Sequence, residues 1–314
     1  MMALICTVTL NPALDKILIV DEIRPGENNR LSNIETDVGG KGTHVSAVLS
    51  DLGVDNVATG ILGGSTGRKL QRLLMDRGVA CDFVWKQDYE TRTSYIVIEF
   101  RYHRHFMLTE KGAEVDGETV DRLKAKVKEL SHKCEYIVFS GGVCPGFDKS
   151  IYRELIEISN KNGVKSVLDA SGEFLKEGIK SGPYMIKPNH DEFSQIMGKN
   201  MQDEREIAAH AKQLLGSGIR VVAVTLDRRG CIIVTKEQSW RIYPPDIHAV
   251  NTVGCGDVFL AAALKKIADK NSLDESFIFA TALSATKAMQ IKTSKFDLKK
   301  AQELIKKIKI EEWT

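Results

Sequence analysis

Paired cysteines are missing from this 314-residue chain. None of Cys6, Cys81, Cys134, Cys144, Cys231 and Cys255 forms a Cys-x-x-Cys pair, and their scatter gives no zinc spacing. A disulfide-stapled secreted scaffold does not fit a chain of this size, so buried free thiols in a reducing compartment are expected. An excess of one charge is missing too. Lysine plus arginine totals 44 against 42 aspartates and glutamates, so no bulk field is available to hold nucleic acid or a membrane surface. No apolar run approaches the roughly 18 residues that cross a bilayer. The opening Met-Met-Ala-Leu-Ile-Cys has no basic leader and runs into a strand-like segment. A soluble cytoplasmic protein is expected. There is no internal repeat, low-complexity tract or Pro/Ser linker, which leaves one domain over residues 1–314.

What is present is enough apolar material for a sizeable core: 43% apolar and 27% charged residues exclude a disordered chain. Short apolar runs at Ile5–Leu10, Val57–Leu62, Tyr136–Phe139, Val164–Leu168, Tyr184–Ile186 and Val221–Leu226 read as buried parallel strands. Between them lie helical stripes, such as Val120, Leu123, Val127 and Leu130, and near the end Leu298, Ala301, Leu304, Ile305 and Ile308. The alternation predicts a three-layer αβα, Rossmann-like domain with a mostly parallel central sheet. Residues at about 15–38 and 91–108 break the alternation and read as β without helices. They predict either a small β-sheet lid over a site or edge strands of the main sheet.

Two glycine-rich segments feed helices. Asn251-Thr252-Val253-Gly254-Cys255-Gly256-Asp257 precedes an alanine-rich apolar helix. Its backbone N–H groups would face an anion at the positive helix end, and glycine permits close approach. Asp257 is then either an N-cap or a general base. Phosphoryl transfer to an alcohol needs both an anion cradle and a carboxylate. Gly39-Gly40-Lys41-Gly42 is a second loop into a helix, without P-loop spacing, and Lys41 meets a phosphate or only solvent. After a buried strand, Lys187-Pro188-Asn189 and Glu192 stand where α/β folds bind ligands. Asn189 and Glu192, three apart, can share one cluster of magnesium-bound waters. Thr225 and Gly230 flank a tight turn that reads as a nucleotide rim or a plain hairpin.

Taken in order, these segments resemble the ribokinase-like (PfkB) sugar kinases nearly end to end, with Asn11-Pro12-Ala13-Leu14-Asp15 similar to the family's substrate-binding start. Within the family, Gly26, Asn29-Arg30, Thr91-Arg92 and Leu168 to Glu173 are similar to the 1-phosphofructokinase and tagatose-6-phosphate kinase branch. The resemblance implies ATP and Mg2+ as cofactors, Asp257 as catalytic base, and Gly254, Cys255 and Gly256 as the phosphate cradle. It implies that Asp15, Gly39, Gly40, Lys41, His44 and Ser140 meet the sugar, with Lys41 and Arg92 on its existing phosphate. Lys187, Asn189, Thr225 and Gly230 would meet the nucleotide, and Asn189 and Glu192 the metal through water. A homodimer through the lids is implied as well. Fructose 1-phosphate is the first substrate expected, then tagatose 6-phosphate, with fructose 6-phosphate also considered.

The chain departs from that pattern at several points. His44 stands where the branch usually has asparagine, and Ser94 replaces another. These departures keep an unphosphorylated sugar or a nucleoside in view. Asp227 replaces a glycine in the nucleotide turn. Cys255 replaces an alanine, as an activated thiol or simply a small side chain. Tyr102-His103-Arg104-His105 has no counterpart and meets substrate or solvent. A non-catalytic sugar-phosphate sensor is opposed by the intact Asp257 and glycines. A dinucleotide oxidoreductase is opposed by the lack of GxGxxG after the first strand.

Overall fold

Valine- and isoleucine-rich runs become strands and the periodic segments become helices, in an order that alternates through most of the chain. The computed structural model describes residues 4–313. It begins with β1 (Ile5–Thr9), β2 (Ala13–Val20), β3 (Asn33–Gly39), α1 (Lys41–Asp51), β4 (Asn56–Leu62) and α2 (Gly64–Met75). There follow β5 (Ala80–Cys81), β6 (Val84–Trp85), β7 (Arg92–Glu99), β8 (Arg104–Thr109), α3 (Gly117–Ser131), β9 (Tyr136–Ser140) and α4 (Ile151–Lys161). Next come β10 (Lys165–Asp169), α5 (Gly172–Ile179), β11 (Met185–Ile186), α6 (His190–Met197), α7 (Glu204–Leu214) and β12 (Val221–Thr225). The chain closes with β13 (Cys231–Val234), β14 (Ser239–Tyr243), α8 (Cys255–Ala268), α9 (Leu273–Ala288), α10 (Leu298–Ile305) and β15 (Lys309–Trp313).

The main sheet runs β15-β14-β13-β12-β11-β10-β9-β1-β4-β5, with β6 also on β4. From β12 to β5 every pairing is parallel; β13, β14 and β15 add an antiparallel edge. Strand residues alternate between two cores. Cys6, Val8, Ile137, Phe139 and Leu168 pack towards α3 to α7, while Ile5, Tyr136, Val138 and Val167 pack towards α1, α8, α9 and α10. That alternation makes three layers. The expected C-terminal helix stops at Ile305 rather than Ile308, and the chain turns into β15 to cover the β14 edge.

The two β excursions form a separate four-stranded sheet, β3-β2-β7-β8, not edges of the main one. Strands β2 and β7 pair in parallel, with Ala13 opposite Arg92 and Asp15 opposite Ser94. Its inner face buries Ile17, Ile19, Ile96 and Ile98 against Val253 and Ile291. The small sheet therefore rests on the loop that enters α8.

Candidate active site

A cavity of about 1200 Å³ lies between the small sheet and the C-terminal ends of the parallel strands. This is where an open α/β sheet offers strand ends and helix N-termini to a ligand. One end carries Asn11, Asp15, Arg92 and Ser94; the other carries Thr225, Gly230, Pro245 and Ile247. The turn from Thr252 to Asp257 also lines it. Of the residues to which the resemblance gives a site role, all but Gly39 and Ser140 line the cavity. A Cβ on Gly39 would lie 2.3 Å from Asp15 Oδ1, so glycine lets β3 pass beside that carboxylate. The buried Ser140 hydroxyl donates to Asp169 Oδ2 at 3.3 Å.

The α8 N-terminus removes the N-cap alternative for Asp257. The N-cap is Gly254, at φ +87°, and a Cβ there would lie 2.0 Å from the Thr293 carbonyl oxygen. Only glycine meets both demands. Asp257 is the third residue of the helix, and its side chain does not cap it. Instead Oδ2 lies 2.6 Å from His44 Nδ1. The Cys255 N–H donates to the Thr252 carbonyl at 3.1 Å, so the Gly254 and Gly256 N–H groups are the ones left to face an anion. Lys187 Nζ sits beside that turn, 3.4 Å from where a Gly256 Cβ would be.

His44 joins two carboxylates. Its Nε2 lies 3.0 Å from Asp15 Oδ2 and 2.9 Å from the Val38 carbonyl oxygen. A carbonyl can only accept, so Nε2 carries a proton; facing a carboxylate oxygen, Nδ1 carries one too. The ring is an imidazolium. Burial opposes its charge, but the hydrogen bonds to Asp15 and Asp257 push its pKa up to about 10. Burial raises the Asp15 pKa, and the His44 contact works against that rise.

A second charged cluster centres on Asp169, at the C-terminal end of β10. Its Oδ1 accepts from Lys41 at 3.1 Å and lies 3.2 Å from Lys187 Nζ. Burial works to raise its pKa, but the two ammonium groups prevail and hold it below the ordinary value. Burial likewise opposes the charge on Lys41, yet Asp169 and Glu192 keep its pKa above the usual lysine range. In the sequence Asp169 stood only inside the Leu168 to Glu173 resemblance, with no role of its own. Its signal was an acidic residue closing a buried parallel strand, where such folds place functional groups.

Asn189 and Glu192 form a capping box on α6. Asn189 Oδ1 accepts from the Glu192 N–H at 2.8 Å, and Glu192 Oε2 accepts from the Asn189 N–H at 2.9 Å. Glu192 Oε1 stays outside that box, 3.7 Å from Lys41 Nζ. Arg92 donates to the Asn11 and Glu110 carbonyls and the Ser94 hydroxyl. It has no carboxylate partner within ion-pair distance among the described residues. Burial pushes the Cys255 thiol up to about 11, so the helix end does not activate it. The Tyr102 to His105 segment meets neither solvent alone nor the cavity. His105 Nε2 lies 2.9 Å from Thr252 Oγ1, and the His103 ring packs edge-on against His248. The segment fastens the small sheet to the turn before α8.

A model of the pfkB family of carbohydrate kinases matches residues 5–300. The chain belongs to that family. It is an ATP-dependent sugar kinase. It is 30% identical over 299 residues to a 1-phosphofructokinase of Borreliella burgdorferi, covering 95% of this chain and 96% of that protein. It is 28% identical over 310 residues to a tagatose-6-phosphate kinase of Staphylococcus epidermidis, covering 98% and 99%. Among solved structures, a phosphofructokinase-2 from Escherichia coli in complex with potassium superposes with a TM-score of 0.90 at 27% identity, covering 98% and 99%. No helix among the described residues of this kinase is long and apolar enough to cross a membrane.

Proposed function

We propose that the kinase phosphorylates a ketohexose phosphate, fructose 1-phosphate first and tagatose 6-phosphate next. The observation that carries this reading is Arg92, a cavity-lining cation with carbonyl and hydroxyl acceptors but no carboxylate partner, on the small sheet next to Asp15. It suits an anion already present on the sugar. Lys41 also lines the cavity, with its ammonium on Asp169 and beside Glu192, and in this reading it turns to the same anion when the sugar phosphate binds. Asp15 and Gly40 meet the sugar hydroxyls, and His44, whose two N–H groups are taken by Asp257, Asp15 and the Val38 carbonyl, acts through those carboxylates; Gly39 and Ser140 act from behind, through Asp15 and Asp169. The relatives named for 1-phosphofructokinase and tagatose-6-phosphate kinase activity support the ranking.

In the reaction, Asp257 Oδ1 accepts the proton of the attacking sugar hydroxyl. The sugar oxygen bonds to the γ-phosphorus, the bond from phosphorus to the β–γ bridging oxygen breaks, and ADP leaves. The Gly254 and Gly256 N–H groups, with Cys255 between them, and Lys187 face the developing charge. Asn189, Thr225 and Gly230 border the nucleotide. The described residues hold no group of three His, Cys, Asp or Glu fit to cage a metal. The donor set fits magnesium carried by nucleotide phosphates and waters, with Glu192 Oε1 and Asn189 meeting those waters. Bound magnesium offsets phosphate charge. The small sheet serves as a lid.

The test is ADP release with ATP, magnesium and a panel of fructose 1-phosphate, tagatose 6-phosphate, fructose 6-phosphate, fructose, tagatose, ribose and adenosine. Turnover is expected only with phosphorylated sugars. Arg92→Ala raises the phosphosugar KM by about tenfold or more with little change in kcat. Turnover confined to unphosphorylated compounds, or an unchanged KM, overturns the reading.

The lid's outer face supports a homodimer. Register places Ile34, Leu18, Val97 and Phe106 in one row across it, with Leu108 beside Tyr95 in the next. Ile34 is 56% and Leu108 57% exposed, more than an isolated sheet face of this kind normally shows to water. A second copy presenting the same face covers it. Phe106→Glu combined with Leu108→Glu turns the dimer into a monomer in sedimentation velocity. A double variant that sediments as the unaltered protein contradicts this interface.

A further inference from the structure

Lys287 is a buried cation that the reaction above does not use. It lies in the last turn of α9, its side chain is fully buried, and its Nζ donates to the Asn251 carbonyl at 2.8 Å. No carboxylate pairs with it among the described residues. Burial pushes its pKa down, against the pull of Cys255, Asp37 and Asp257. An ammonium kept in the interior without an ion-pair partner is costly. The carbonyl end of α9 makes the place more tolerable for a cation.

Its position gives that cost a use. Asn251 begins the turn that ends in the phosphate cradle, and the whole residue is tied down. Its Nδ2 donates to the Ile291 carbonyl at 2.7 Å, its Oδ1 accepts from the Val253 N–H at 3.0 Å, and its own N–H donates to the Ala288 carbonyl at 3.1 Å. Gly254 then passes against the Thr293 carbonyl. The turn rides on residues 287–293, and Lys287 is the charged tie between them.

We propose that Lys287 is a positioning residue for phosphoryl transfer: a tethered monovalent cation that fixes the Asn251 carbonyl and so holds the Gly254 and Gly256 donors in place. The inference rests on the reading of that turn as the phosphate cradle. It implies that the enzyme supplies from its own chain a charge that a free ion would otherwise have to provide.

The first test uses the unaltered enzyme. Turnover in buffers whose only monovalent cation is tetramethylammonium should equal that with potassium; a potassium requirement overturns the proposal. The second uses Lys287→Met, which keeps the bulk and removes the charge. Its kcat falls about tenfold or more, with sugar KM within about threefold, as for loss of oriented donors. Ammonium or potassium, small enough for the vacated space, restores a large part of the loss, and tetramethylammonium does not. A variant with kcat within twofold of the unaltered enzyme sinks the proposal. So does a folded variant whose loss no small cation repairs. A third readout needs no sugar and survives a wrong substrate assignment. ADP with aluminium fluoride, a mimic of the γ-phosphoryl group, raises the Tm of the unaltered protein above that with ADP alone. Lys287→Met loses that increment and regains it in ammonium. An increment unchanged in the variant overturns the proposal while leaving the kinase reading intact. Should Lys287→Met not fold, Lys287→Gln enters the same series.

Discussion

Asp257→Asn lowers kcat by about a hundredfold or more, the scale of losing a general base, with the KM for ATP within about threefold. The amide has the carboxylate's shape, so α8 and its Gly254 cap are undisturbed. The chemistry is what changes. His44 Nδ1–H, 2.6 Å from the present Oδ2, requires an acceptor and takes the amide oxygen. The NH2 group is thereby turned towards the substrate hydroxyl, donor against donor. Steady-state ADP release gives the kcat, and a melting curve matching the unaltered protein shows that the loss is chemical. A variant within tenfold of the unaltered kcat removes Asp257 from the base role.

His44→Ala is expected to be the most damaging change to stability. It leaves Asp15 and Asp257, both buried, without the cation between them. Breaking a buried pair from one side costs about 3–5 kcal/mol, and urea unfolding at pH 6 measures it. Turnover falls as well, since the Asp257 carboxylate loses the bond that orients it. The pH dependence has a definite sign. The His44 pKa is raised on folding, from about 6.5 when unfolded to about 10. Its contribution is therefore full below about pH 6.5 and is lost as pH rises through about 10. The stability gap between the unaltered protein and His44→Ala should close over that window. A gap as wide at pH 10.5 as at pH 6 means that the ring is not an imidazolium.

The residues legible in the sequence are those whose constraint is local. Gly254 must be glycine because of its own φ and a neighbouring carbonyl, and a glycine-rich turn before an alanine-rich helix shows this in the sequence. The buried strands were legible for the same reason, since a run of β-branched residues states its own burial. The base-or-cap question was not decidable locally, because the partner of Asp257 is His44, some two hundred residues earlier. A spacing of three between Asn189 and Glu192 suits a shared water cluster and a capping box equally well, and only the backbone N–H directions show the box. Asp169 and Lys287 are single charged residues whose meaning lies in what packs on them. β13 and β14 were hidden because directly connected antiparallel strands carry no helix between them to mark the alternation, and β15 because Lys309, Glu311 and Glu312 break up its apolar residues.

The parallel pairing of β2 with β7 bears on how such a kinase can change its substrate. The two strands lie side by side yet are about 80 residues apart in the chain, and everything from α1 to β6 is folded between them. Parallel neighbours always need such a crossover. The small-sheet surface that we propose reads the sugar is therefore not a module that one recombination event can exchange. A single crossover would bring in half a sheet with the wrong partner, its hydrogen bonds and inner isoleucines mismatched. New specificity has to arrive residue by residue, within a framework already paired, and a histidine in place of an asparagine at position 44 is a change of that size.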